Sequence, residues 1–151
     1  YDLRINFVKI YFMELTIEQA LKRGVSAHRE GNLEEADLLY TAILRSKPQH
    51  SDANHNMGVL AVSVGKVSEA LPFFKVALEA NPKVEQYWLS YLDALMQLGL
   101  TDDARSLLEQ GKTYGLNGAR VAHLETHLHT TINPVKAKPS EGEIDKLVFL
   151  Y

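Results

Sequence analysis

Apolar residues recur along this chain three and four positions apart, as in Val59, Leu60, Val62 and Val64 and then Leu71, Phe74, Val76, Ala77 and Leu78. That spacing places them on one stripe of a helix. It predicts helices over 17–30 and 33–46, 51–64 and 67–80, then 85–98 and 101–113, so the chain reads as consecutive helix pairs. The pairs repeat. Gly31, Gly65 and Gly99 lie 34 residues apart, as do Ala36, Ala70 and Ala104, and Tyr40, Phe74 and Leu108. Gly24 and Gly58, Pro48 and Pro82, and the set Ala20, Asn54 and Trp88 keep the same period, which is the mark of a stacked architecture.

The punctuation agrees with the stripes. Each of Gly31, Gly65 and Gly99 follows a first helix, where a residue with positive φ closes the last turn and glycine has no Cβ to oppose it. Pro48 and Pro82 end the second helices, because proline pushes the residue before it out of helical φ/ψ. Pro72 sits about one turn inside the helix expected over 67–80, where it should cost a hydrogen bond and bend that helix slightly. Small residues (Gly24, Gly58, Ala36, Ala70, Ala104) are expected where helices cross closely, with Tyr40, Phe74 and Trp88 filling the space between pairs. The third unit departs from the other two: Leu92 replaces the first-helix glycine, Gly111 stands where Ala77 does, and Leu116 replaces the proline, so its second helix should end differently.

Ala119–Thr131 reads as one more helix with Val121, Leu124, Leu128 and Ile132 on its apolar face, expected to cap the stack. The organisation is thus 1–12 as a non-native or accessory segment, 13–132 as the repeat domain (units 17–50, 51–84 and 85–118, capping helix 119–132), 133–139 as a linker, and 140–151 as the start of a further helix. Thr16 is a helix cap after Met13-Glu14-Leu15. Tyr1–Phe12 alternates Tyr1, Leu3, Ile5 and Phe7 in a way that would suit an extended strand. Ser140 and Glu143 form a capping box ahead of the stripe Ile144, Leu147, Val148 and Tyr151, the mark of a truncated repeat in a longer protein. Unpaired apolar stripes at both ends will seek a partner surface, and a homodimer through the terminal segments is expected, the alternative being a tail folded back onto its own capping helix.

The pattern of these residues resembles the tetratricopeptide repeat family over about 17–118, and the middle unit, with Asp52-Ala53 through Asn81-Pro82, matches it best. The resemblance implies an all-α, right-handed superhelical solenoid of antiparallel helix hairpins whose first helices line a concave groove for peptides. On that reading the groove carries Lys22, Val25 and Arg29, then Asp52, His55, Asn56, Val59 and Ser63, then Gln86, Leu89, Ser90, Asp93 and Gln97. A basic end (Lys22, His28, Arg29) and an acidic end (Asp93) suggest a polar, oriented peptide, with the Asn56 amide able to donate to and accept from its backbone. The alternative for any one of these residues is a solvated surface position. Family members that clamp chaperone C-terminal carboxylates use lysine, asparagine and arginine at set places; here Asn56 matches while Leu21, Val25, Gln86 and Ser90 fill the others. The middle unit's D-A-x-x-N also resembles repeats preceding O-linked N-acetylglucosamine transferase domains, whose asparagine ladder falls here on Lys22, Asn56 and Ser90. This implies a second role, a substrate-recruiting arm of a transferase whose catalytic domain lies outside the chain.

Composition narrows the chemistry. Of the 151 residues, 46% are apolar and 23% charged, which suits a packed domain, and a formal net charge of −3 argues against a nucleic-acid partner. With no cysteine there are no disulfides, thiolate nucleophiles or thiolate metal sites. No run of about 18 apolar residues is present, so no membrane span is expected and the cytoplasm is the expected location. The one constellation with metal-like spacing is His123, Glu125, His127 and His129, but Leu124 stands where a zinc-protease helix needs glutamate. Its alternative is the polar outer face of an end helix. No phosphate loop or nucleophile elbow occurs. The expectation is a scaffold for a protein or peptide segment, with no cofactor, no metal and no catalysis of its own.

Overall fold

In the computed structural model, residues 15–132 are described, and among them are seven helices and no strand. They are α1 (Ile17–Arg29), α2 (Leu33–Ser46), α3 (Ser51–Ser63), α4 (Val67–Ala80), α5 (Glu85–Gln97), α6 (Thr101–Thr113) and α7 (Ala119–Ile132). Each ends within about one residue of the range its apolar stripe predicts. The expectations for 1–12, 133–139 and 140–151 lie outside the described residues.

Local chemistry explains the helix ends. Thr16 caps α1 in a reciprocal box, accepting from the Gln19 N–H at 3.2 Å while the Gln19 side chain accepts from the Thr16 N–H at 2.9 Å. Gly31, Gly65 and Gly99 have φ of 81°, 79° and 70°, and the N–H one residue further on reaches back five positions, as in Asn32 to the Ala27 carbonyl at 2.8 Å. The second helices end in another way. Lys47 and Asn81, each followed by proline, leave helical geometry at φ −139° and −151°. In the third unit α6 has no proline after it and closes as a first helix does: Gly115 takes φ 94° and the Leu116 N–H bonds the Gly111 carbonyl at 2.9 Å. The different ending expected for this helix is therefore observed. α4 runs through Pro72 without a break.

The chain divides into two compact units after Leu116. In the first, each helix packs on its chain neighbour, and α1 also meets α3 while α3 meets α5, so the three first helices lie side by side. This is an all-α solenoid of helix hairpins. Its interior follows a size rule. A Cβ on Gly24 would lie 2.6 Å from the Tyr40 ring, and one on Gly58 would lie 2.6 Å from the Phe74 ring, so glycine is what lets each ring lie flat against the first helix. Tyr40 and Phe74 are fully buried with Ala36 and Ala70 beside them, and burial pushes the Tyr40 hydroxyl up to about 12. In the third unit Leu92 and Leu108 occupy the equivalent pair of positions. The large ring there is Trp88, which lies over Gly111 with Leu116 beside it.

Each interrepeat turn is held by a side chain six residues after its proline. The Asn54 amide donates to the carbonyls of Pro48 (2.8 Å) and His50 (2.9 Å), and the Trp88 indole donates to the Pro82 carbonyl at 2.8 Å. Asn54 is 97% buried, so these bonds satisfy a group that would otherwise be costly to desolvate. In the second unit, α7 has Val121, Leu124 and Leu128 of its expected apolar face buried.

Candidate ligand-binding face

The sequence reading places the groove on the first helices, and α1, α3 and α5 do lie side by side. The two junctions along that face are built differently. Between α1 and α3 there is an open pocket of about 300 Å³ lined by Val25, His28, Arg29, Tyr40 and Asn56. Val25 gives it an apolar lining backed by the buried Tyr40, and Arg29, His28 and Asn56 add a guanidinium, an imidazole and a primary amide. That combination offers donors for carboxylate or carbonyl oxygens above an apolar seat for a side chain. Lys22, at the same register as Asn56 one repeat earlier, is exposed on α1.

Between α3 and α5 the face is stitched to itself. The Tyr87 hydroxyl donates to the Asp52 carboxylate, and the His55 Nε2 lies 2.9 Å from the Ser90 hydroxyl, which also accepts from the Gln86 amide at 3.1 Å. The His55 ring stacks on Tyr87 at 4.8 Å between centroids and tilts against Phe74 at 5.8 Å. Burial lowers the His55 pKa from its ordinary 6.5, with the nearby Asp52 carboxylate and a hydrogen bond to Asn56 pulling the other way. Burial also raises the Tyr87 hydroxyl to about 12, so it stays a donor to Asp52 at every physiological pH.

Of the thirteen groove residues named from sequence, Val25, Arg29 and Asn56 converge on the open pocket, while Asp52, His55, Gln86 and Ser90 belong to the stitched junction. Val59 and Asp93 are half-buried, and Ser63 and Gln97 are exposed near the helix C-termini. The Ser63 hydroxyl turns back to the Leu60 carbonyl at 2.7 Å. Leu89 is buried at 6% exposure, so it supports the face from beneath instead of presenting a side chain to a ligand. Two contributors escape the sequence reading. Tyr87 bridges two repeats, and Tyr40, core filler as expected, also backs the pocket lining. For Tyr87 a signal existed: Gln19 and Ala53 hold its place in the earlier repeats, so a large ring there breaks the column.

On α7, His123, His127 and His129 are exposed, and among the described residues no three histidine, aspartate or glutamate side chains converge as a metal site would require. No described helix is long and apolar enough to cross a membrane.

Residues 61–128 match a family model described as Tetratricopeptide repeat. Comparison with curated protein sequences gives no match. Among solved structures the chain is similar to pilF of Pseudomonas aeruginosa, at 19% identity and a TM-score of 0.66, covering 78% of this chain and 54% of that one. It thus spans about half the length of that relative. It is also similar to the first TPR of Spaghetti (RPAP3) bound to the HSP90 peptide SRMEEVD (15% identity, TM-score 0.69, covering 77% of this chain and 92% of that one). A third similar structure is the complex of the TPR2B domain of yeast Sti1 with pHsp70 (16% identity, TM-score 0.65, 78% and 96%). At these identities the likeness is one of fold.

Proposed function

Because the chain has the tetratricopeptide-repeat fold, with residues 61–128 matching the family itself, we propose that it is a scaffold that holds a segment of another polypeptide at the α1–α3 junction of the face built by α1, α3 and α5, and performs no chemistry of its own. The observation that carries this is the open pocket at the α1–α3 junction, lined by Arg29 and Asn56 together with the apolar Val25. Two of the similar structures are complexes with HSP90- and Hsp70-derived partners, which supports a polypeptide ligand as a class. The ligand in this reading is polar and oriented: an oxygen-bearing group meets Arg29 and Asn56, a small apolar side chain rests on Val25, and the backbone continues along α3. Chaperone tails are not the expected ligand, because Leu21, Val25, Gln86 and Ser90 stand where the clamping residues would be. The scaffold works in an aqueous compartment, the cytoplasm in this reading, with a second copy able to dock through the terminal segments.

The test is a peptide-display selection on the full chain, followed by titration of a selected peptide. Asn56→Ala is expected to weaken binding by about 1–3 kcal/mol, since it removes a hydrogen-bonding group from a partly buried site. Arg29→Ala should weaken it too, with melting temperatures unchanged. Equal affinity in both variants overturns the assignment of the face. The same outcome would remove the second reading, recruitment of a substrate to a transferase domain on the same polypeptide, which rests on Asn56 as the one ladder asparagine present.

A further inference from the structure

A second pocket shares no residue with the first. It measures about 500 Å³ and lies where α2, the C-terminal half of α3 and the start of α4 come together. Its floor is apolar, made by Met57, Leu60, Ala61 and Phe73, with Val64 standing 49% exposed at the edge. Its rim is acidic. Glu34, Asp37 and Glu69 supply three carboxylates against one ammonium, Lys66, which lies 3.6 Å from Glu69.

The repeat itself does not demand this arrangement. One period later, Met57 becomes Tyr91 and Ala61 becomes the buried Leu95, while Leu60 becomes Ala94 and Phe73 becomes Leu107, so the floor is rebuilt from different side chains. Two of the three rim acids are lost as well, Glu34 becoming Ser68 and Asp37 becoming Leu71, while Glu69 becomes Asp103. This floor and this three-carboxylate rim therefore occur together at one junction and not at the next.

We propose that this pocket docks a basic segment of a partner protein, one that inserts a single aliphatic or aromatic side chain between flanking lysines or arginines. Apolar contact over Met57, Ala61 and Phe73 supplies the anchor, and the rim carboxylates select the flanking charge and speed encounter. A second copy of this chain is a poorer occupant at the same patch, because a two-fold contact would set the same acidic rim against itself.

The probe is a fluorescein-labelled peptide, acetyl-Lys-Arg-Leu-Phe-Lys-Arg-amide, titrated against the full chain at low and high salt. Saturable, salt-sensitive binding is expected, with amide NMR shifts centred on 33–41 and 60–73. Ala61→Leu places at this junction the residue the next repeat uses, and should weaken binding by at least about tenfold with the fold intact. Glu34→Gln with Asp37→Asn, both on the exposed rim, should weaken it about threefold or more and flatten the salt dependence. No saturable binding, affinity unchanged in Ala61→Leu, or shifts centred on Val25, Arg29 and Asn56 would each overturn the proposal.

Discussion

The junction between the first and second repeats and the junction between the second and third use the same backbone and fill it differently. At four core positions α3 presents Ala53, Asn54, Met57 and Gly58, whereas α5 presents Tyr87, Trp88, Tyr91 and Leu92. At the first junction α3 contributes to two pockets, through Met57, Leu60 and Ala61 to one and through Asn56 to the other. At the second, the rings of α5 close the space and reach back to Asp52, Pro82 and Phe74. The difference separates two jobs that one repeat cannot do at once. A junction packed with interlocked rings is stiff and self-satisfied, and a junction left open has surface to offer. Recognition is therefore expected at the N-terminal junction, with the third repeat serving as its anchor.

The largest expected effect comes from taking bulk out of the filled junction. Leu92 is fully buried, and Leu92→Ala should destabilise the chain by about 2–5 kcal/mol in urea unfolding. A loss under about 1 kcal/mol would mean that the third repeat contributes little to the shared core. Next is the reverse exchange. Gly58→Leu puts a side chain where a Cβ alone would lie 2.6 Å from a buried ring, and should cost about 1–3 kcal/mol or more. Adding Phe74→Leu reproduces the Leu92 and Leu108 pair and should recover part of that loss. If the double variant is no more stable than Gly58→Leu alone, the two packings are not interchangeable and the comparison fails at the level of the core.

How far the sequence foretold this can be read at particular residues. The period through Gly31, Gly65 and Gly99 located every helix of the three repeats, because a positive φ after a first helix is a local demand that glycine alone meets cheaply. The departure at Leu92, Gly111 and Leu116 was also legible, since each breaks a column of equivalent residues. Asn54 was not. It shares its column with Ala20 and Trp88 and so reads as filler, and its real task depends on a carbonyl that only the folded turn brings near. The division of the face of α1, α3 and α5 into an open and a stitched junction was hidden for the same reason. Ser90 and Asn56 hold the same register, and nothing in the spacing says that Gln86 and His55 both engage Ser90 while Asn56, also bonded to His55, lines a pocket.

Smaller effects sharpen the comparison at the turns. Asn54→Ala leaves the Pro48 and His50 carbonyls short of a buried donor and should cost about 1–3 kcal/mol in thermal or urea unfolding. Trp88→Phe should destabilise through loss of the bond to Pro82 together with ring area. A change in one variant and none in the other would show that only one of the two turns is held this way. The smallest effect is a pH dependence. The folded-state pKa of His55 lies below its ordinary 6.5, so the folded state favours the neutral ring and the unfolded chain binds the extra proton first. The contribution of His55 is complete above about pH 6.5 and is lost as pH falls through the lowered value. Melting temperature should therefore decline on acidification from that point, and decline less in His55→Gln. An equal decline in both would place the acid sensitivity elsewhere.

The central claim, that the open first junction and not the ring-filled second one holds the ligand, is tested most directly by amide hydrogen exchange with and without a display-selected peptide. The account predicts that added protection is centred on Val25–Arg29 and the segment around Asn56, with Tyr87–Asp93 unchanged. Protection confined to α5 and α6, with the first junction unaffected, would contradict it.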